Sequence, residues 1–140
     1  MFELFDPLRH LSMESIALRF VMALVFGGLI GLERGRRQQA AGLRTHMMVC
    51  VGSAATMMVG EYAVFYYGMT GDMLRIGAQV VSGIGFLGAG SIIVTKQNRI
   101  RGLTTAAGLW ASACMGLAIG IGFYECALIM MGAMLIILVI

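Results

Sequence analysis

Few side chains in this sequence could do chemistry, and those few are embedded in or beside long apolar runs: Glu33, Arg44, His46, Glu61, Asp72, Arg75 and Gln79. Polar groups inside segments of membrane length are costly to keep, so each begins as a functional candidate. Holding a divalent cation would take converging carboxylates. Magnesium in particular keeps most of its waters and accepts a few carboxylate oxygens at octahedral geometry. Glu33, Glu61, Asp72 and Glu125 fall at opposite ends of the apolar runs, with none at mid-depth, which argues against a dedicated Mg²⁺ path through one protomer. His46 has no His or Cys near it in sequence and reads as an interfacial residue. Cys50, Cys114 and Cys126 stand alone in apolar segments and read as small buried residues. No nucleophile lies at a spacing that pairs it with a base. The expectation is therefore a protein that is not an enzyme, with no metal site and no cofactor.

The remaining polar candidates have structural readings beside the functional ones. Glu33 is expected to pair with Arg36 or Arg37. Glu61 either reaches to water or pairs with Arg75. Asp72 is placed to cap a helix. Gln79, one turn beyond Arg75, hydrogen-bonds between helices or lines a polar pocket.

Anion chemistry is better supplied. Arg34, Arg36, Arg37 and Arg44 crowd one short turn, and Lys96, Arg99 and Arg101 another. Each turn leads into a helix start, Gly42-Leu-Arg-Thr45 and Gly102-Leu-Thr-Thr105, whose free N–H groups and dipole favour negative charge. Arg34, Arg36, Arg37, Arg44, Thr45, Arg99, Arg101 and Thr104 are thus candidates to hold a lipid headgroup, a phosphate or an acidic segment of a partner. The alternative is that the charges serve only to orient the chain in a membrane.

The elements that must carry these residues follow from composition. The chain has 140 residues, 59% hydrophobic and 12% charged, with a mean hydropathy of +0.89. That excludes an ordinary soluble domain. On the ruler of about 20 apolar residues per crossing, five spans are expected near 16–33, 43–67, 76–95, 103–122 and 124–140: an all-α bundle forming one domain over 1–140. An amphipathic stretch over 1–14 is expected to lie along the interface. With Glu3, Asp6, Arg9 and Glu14 it lacks the apolar core of a cleavable signal peptide. Seven basic residues in the two turns, against Arg9, Arg19 and Arg75 beside acids, put those turns in the cytoplasm and the N-terminus outside. Basic residues confined to such turns exclude nucleic-acid binding. The last span ends at Ile140 without a polar anchor, which suggests a natural continuation.

A shift of 60 residues aligns the first two spans with the third and fourth. Gly42-Leu-x-Thr45 then matches Gly102-Leu-x-Thr105. Two parallel two-helix repeats plus a fifth helix is one reading, and glycine-rich composition the other. Small residues at helical spacing mark packing surfaces: Gly83, Gly85, Gly88 and Gly90 on the third span, Gly108, Ser112, Gly116 and Gly120 on the fourth, and Gly27 with Gly31 on the first. The third span is expected to be surrounded by protein. Five short spans enclose little volume, so a homo-oligomer, a dimer first, is expected among membrane lipids.

Four stretches carry a resemblance. Gly28-Leu-Ile-Gly-Leu-Glu33-Arg34, Ala41-Gly-Leu-Arg-Thr-His46, Ala78 through Gly90, and Gly102-Leu-Thr-Thr-Ala-Ala107 with Leu109-Trp110 are similar, in order, to the MgtC/SapB family of bacterial membrane proteins. The resemblance implies a five-span domain of the bacterial cytoplasmic (inner) membrane, usually followed by a cytoplasmic ACT-like domain, which this sequence lacks. It further implies a regulator of the virulence type, linked to magnesium homeostasis and adaptation to low magnesium. Such a regulator would act through intramembrane protein contacts, with membrane subunits of the F-type ATP synthase as an implied target. The rival expectations are a transporter or channel for Mg²⁺ or another small ion, and an oligomerisation scaffold.

Overall fold

A computed structural model describes residues 3–140. After a short 3-10 helix over Glu3–Leu8, five α-helices follow: α1 (Met13–Arg36), α2 (Leu43–Tyr67), α3 (Met73–Ser91), α4 (Leu103–Gly120) and α5 (Tyr124–Val139). The first four are long and apolar enough to cross a membrane. α5 is apolar but has only 16 residues, about 24 Å of helix at 1.5 Å per residue. This is a multi-pass membrane protein.

Local chemistry sets the helix ends. The Ser12 hydroxyl accepts the Ser15 N–H and starts α1, and the Asp72 carboxylate accepts the Leu74 N–H and starts α3, as its sequence suggests. Gly68, in the left-handed region, ends α2 by returning its N–H to the Ala63 carbonyl. α3 stops at Ser91, earlier than the expected 95. The chain then forms a two-stranded antiparallel hairpin, β1 (Ile93–Val94) and β2 (Ile100–Arg101). β-branched Ile93, Val94 and Ile100 suit strands, and Asn98 takes the positive φ of the turn between them. The hairpin delivers the chain to Gly102, where φ is +94° and a Cβ would collide with the Ser91 carbonyl oxygen. Only glycine fits there.

Small residues let the backbones of α1, α2 and α4 meet. A Cβ on Gly27 would lie 2.8 Å from the His46 carbonyl oxygen, and one on Gly31 2.6 Å from the Leu43 Cα. Gly116 and Gly120 rest on the Cys50 and Ala54 carbonyls of α2, and Ser112 is fully buried in the same seam. Ala23, Ile30, Cys50, Ala54, Met115, Ile119 and Ala127 fill the core around these contacts.

The third helix departs from expectation. Only Gly77, Ile84 and Gly88 of α3 are buried, Gly88 against Ala106. Nothing lies within 4 Å of a Cβ on Gly83, Gly85 or Gly90. Within one protomer those three glycines are not a packing surface: α3 sits at the edge of the bundle, with most of its circumference open. The N-terminal stretch is tied to the α4–α5 turn by Arg9, whose guanidinium donates to the Gly122 carbonyl at 2.8 Å and pairs with Glu125. Residues 1 and 2 of that stretch lie outside the described residues.

Candidate functional site

Two arginines on α1, fully or almost fully buried, organise the two ends of the bundle. Arg19 stands in the second turn of α1, and its side chain has no exposure. Its guanidinium donates to Glu61 Oε2 on α2 (2.5 Å), to the Gly120 carbonyl ending α4 (2.7 Å), to the Arg9 carbonyl (2.7 Å) and to the Tyr124 hydroxyl on α5 (3.3 Å). Tyr124 in turn donates to the Leu8 carbonyl at 2.7 Å. One cation thus fastens the N-terminal segment and four helices, and its charge is matched by Glu61. Removing one partner of a buried pair of this kind costs about 3–5 kcal/mol.

Arg34, at the basic end, is set differently. It is 4% exposed and, among the described residues, makes a single hydrogen bond, to Thr105 Oγ1 on α4 at 3.0 Å. Its Nε is buried without a partner, and among the described residues no carboxylate lies within salt-bridge distance of it. The nearest acid in sequence, Glu33, is held by Arg37 at 2.8 Å. His46 is fully buried nearby. Its Nδ1 donates to the Gly42 carbonyl (3.0 Å), and Nε2 faces the bundle interior with no partner. Among the described residues no countercharge reaches Arg34, so they do not offset the cost of desolvating it.

Thr105 lines a pocket of about 370 Å³ together with Gln38, Gln39, Ser91, Ile93, Arg101 and Gly102. Arg34 therefore sits behind the pocket wall. The first turn of α4 contributes backbone N–H groups, since Gly102 offers no side-chain cap.

Of the residues singled out from the sequence, Arg34, Arg101 and the α4 helix start converge. Thr104 is exposed; its neighbour Thr105 is the residue turned inward. Thr45 is half-buried beside a separate groove. Arg36, Arg37, Arg44 and Arg99 are exposed around the basic end, and Arg37 also donates to the Val139 carbonyl at 3.0 Å. Glu61 pairs with Arg19 rather than with Arg75 or water. Arg75 and Gln79 are both exposed on the open side of α3, and Gln79 makes no interhelical hydrogen bond among the described residues. His46 is a core residue rather than an interfacial one. Among the described residues no three His, Cys, Asp or Glu side chains group as metal ligands.

Spacing arguments pass over Arg19, which the sequence marks only as a charge near the start of a span. Its signal was its position: an arginine two turns into an apolar helix must find a partner inside the protein.

Comparison with known proteins shows the family. The putative magnesium transporter YhiD of Escherichia coli K12 is 46% identical over 114 residues, covering 77% of this chain and 52% of the relative. Protein SapB of Bacillus subtilis is 40% identical over 114 residues, 79% of this chain and 49% of the relative. Protein MgtC of Brucella suis is 49% identical over 102 residues, 71% of this chain and 40% of the relative. The chain spans about half the length of the curated relatives it matches. No solved structure matches it. A sequence model of the MgtC family covers residues 20–140, and the chain belongs to that family.

Proposed function

We propose that this protein is a non-enzymatic regulator of the bacterial inner membrane, serving adaptation to low magnesium by docking the open side of α3 against another membrane protein. The observation that carries this reading is the stripe Ala78, Ser82, Gly85 and Ala89, all exposed and spaced 4-3-4 along one face of α3. Small side chains at that spacing let a second helix approach to backbone distance. The exposed Gln79 beside the stripe adds to the argument, since an amide facing lipid lacks the partner that a protein neighbour would supply. The resemblance supplies the partner class, membrane subunits of the F-type ATP synthase, and a homodimer through the same stripe is the resting arrangement. All five helices span in this reading, with the N-terminus outside and the basic end in the cytoplasm. A parallel repeat is part of this reading, supported by the 60-residue offset that matches Gly42-Leu-x-Thr45 to Gly102-Leu-x-Thr105 and Gly28 to Gly88.

The name of the Escherichia coli relative favours a second reading, magnesium transport. Two features weigh against a cation path through one protomer. Both ends of the α1–α2–α4 interior present a buried arginine, and between them the helix backbones are in contact at Gly27, Gly116 and Gly120.

The test uses a host lacking its own copy and purified protein in proteoliposomes. Gly85→Leu is expected to abolish growth in low Mg²⁺ and co-purification of ATP synthase subunits while leaving protein level and Tm intact. Wild-type proteoliposomes are expected to show no Mg²⁺ uptake. Saturable uptake that is lost on Glu33→Gln or Gln79→Ala would instead establish the transporter.

A further inference from the structure

We infer that the basic pocket behind Thr105 and the apolar groove running from it along α3 together hold one anionic phospholipid. The headgroup phosphate lies against Thr105, Arg101 and the start of α4, with the Arg34 charge directly behind Thr105, and an acyl chain lies over Gly90, Leu87 and Gly83. This site uses the side of α3 that faces α2 and meets the docking stripe only at Ala89; it does not depend on the regulatory reading.

Three observations meet here. The first is the buried Arg34, whose fork of N–H donors makes one hydrogen bond, to a threonine that lines the pocket. Such a group calls for an oxyanion, because a guanidinium and a phosphate match in both charge and geometry. The second is the set of donors around the pocket. Arg101, the amide of Gln38 and the uncapped first turn of α4 surround it, Gln39 donates to the Arg37 carbonyl, and no acid lines it. Gly102 is required because any Cβ would strike Ser91; the same requirement deprives α4 of a capping side chain and leaves its N–H groups open to a ligand.

The third observation is continuity. The pocket shares Ala40 and Ser91 with an apolar groove of about 440 Å³ between α2 and α3. That groove shares Leu87 with a further one of about 410 Å³, floored by Gly52 and Gly83. A soluble phosphate ester would fill the first pocket and leave the rest empty, whereas a phospholipid fills both kinds of space at once. Choline or another headgroup cation would be brought against Arg34 and Arg101, so an anionic lipid is selected.

The test is lipid retention by the full chain, purified in detergent and analysed by native mass spectrometry and by titration. The probes are phosphatidylglycerol, phosphatidylcholine and glycerol phosphate. The expected result is retention of phosphatidylglycerol over phosphatidylcholine, with Arg34→Gln and Arg101→Gln each weakening it at least about tenfold, the loss of a charged hydrogen bond. Arg101 is exposed, so its variant keeps the test alive if Arg34→Gln fails to fold. Gly83→Leu and Gly90→Leu, at positions with open space for a side chain, are expected to weaken phosphatidylglycerol by a similar factor without changing glycerol phosphate binding. Equal retention of the two lipids, or wild-type affinity in Arg101→Gln and both leucine variants, overturns the proposal. Glycerol phosphate binding as tightly as phosphatidylglycerol assigns the pocket to a soluble ester and overturns the lipid as its occupant.

Discussion

Replacing Glu61 with glutamine removes the countercharge from Arg19 while keeping the shape of the side chain. Arg19 has no exposure and Glu61 is 6% exposed, so solvent screens the pair little. Breaking a buried pair from one side costs about 3–5 kcal/mol, and the place of this pair near the end of the bundle puts the expected loss at about 3 kcal/mol. Arg19→Met should cost more. It strands Glu61 and also orphans the Gly120 and Arg9 carbonyls, each worth about 1 kcal/mol, for a total of about 5 kcal/mol. The double variant Arg19→Met, Glu61→Gln removes both charges and leaves the orphaned carbonyls beside a neutral amide, so it should be more stable than Arg19→Met alone. The coupling energy is then about 3 kcal/mol or more, far above the 0.5 kcal/mol within which independent sites add. Reversible unfolding of the four proteins by SDS in mixed micelles measures it. Additive losses, or a Glu61→Gln variant within about 1 kcal/mol of wild type, would refute the reasoning that this contact is a closed, desolvated ion pair.

Other positions give contrasting outcomes. Gly120→Ala pushes a methyl into the Ala54 carbonyl and should lower stability by about 1–3 kcal/mol, read as a lower Tm, whereas Gly85→Ala should leave Tm unchanged. Gly102→Ala combines a positive φ with a collision against Ser91; a loss above about 2 kcal/mol should appear in the same melt. Thr105→Val removes the single hydrogen bond of Arg34, and an SDS titration should register about 1–3 kcal/mol. Glu33→Gln, at the partly exposed pair with Arg37, should shift stability by less than about 1 kcal/mol.

Much of the helix layout is legible along the chain because uninterrupted apolar runs and their caps are local properties. Asp72 caps α3 as its position suggests, and the Gly108-Ser112-Gly116-Gly120 stripe does pack. What sits around each helix is not local. The pairing of Arg19 with Glu61 and Tyr124 joins residues 42 and 105 positions away, and no periodicity in α1 reports that register. The glycines of α3 illustrate the same gap: four-residue spacing says a backbone can approach, not that one does. The choice between Thr104 and Thr105 turns on one step of about 100° around α4, which is fixed only when Arg34 is placed beside it. The early end of α3 was readable in part, since Ile92-Ile-Val-Thr95 followed by Gln97-Asn98 has the composition of a strand and its turn, but its lack of charge masks it as membrane span.

The Arg19 cluster also sets an order of events. α1 leaves the ribosome first, carrying a charge whose countercharge arrives with α2 and whose hydroxyl partner arrives with α5. Until then a lone guanidinium must be tolerated two turns inside an apolar segment, held near the water interface by its long stem. Closure of that end is therefore among the last steps of assembly, and the helix made first is among the last to be locked in place.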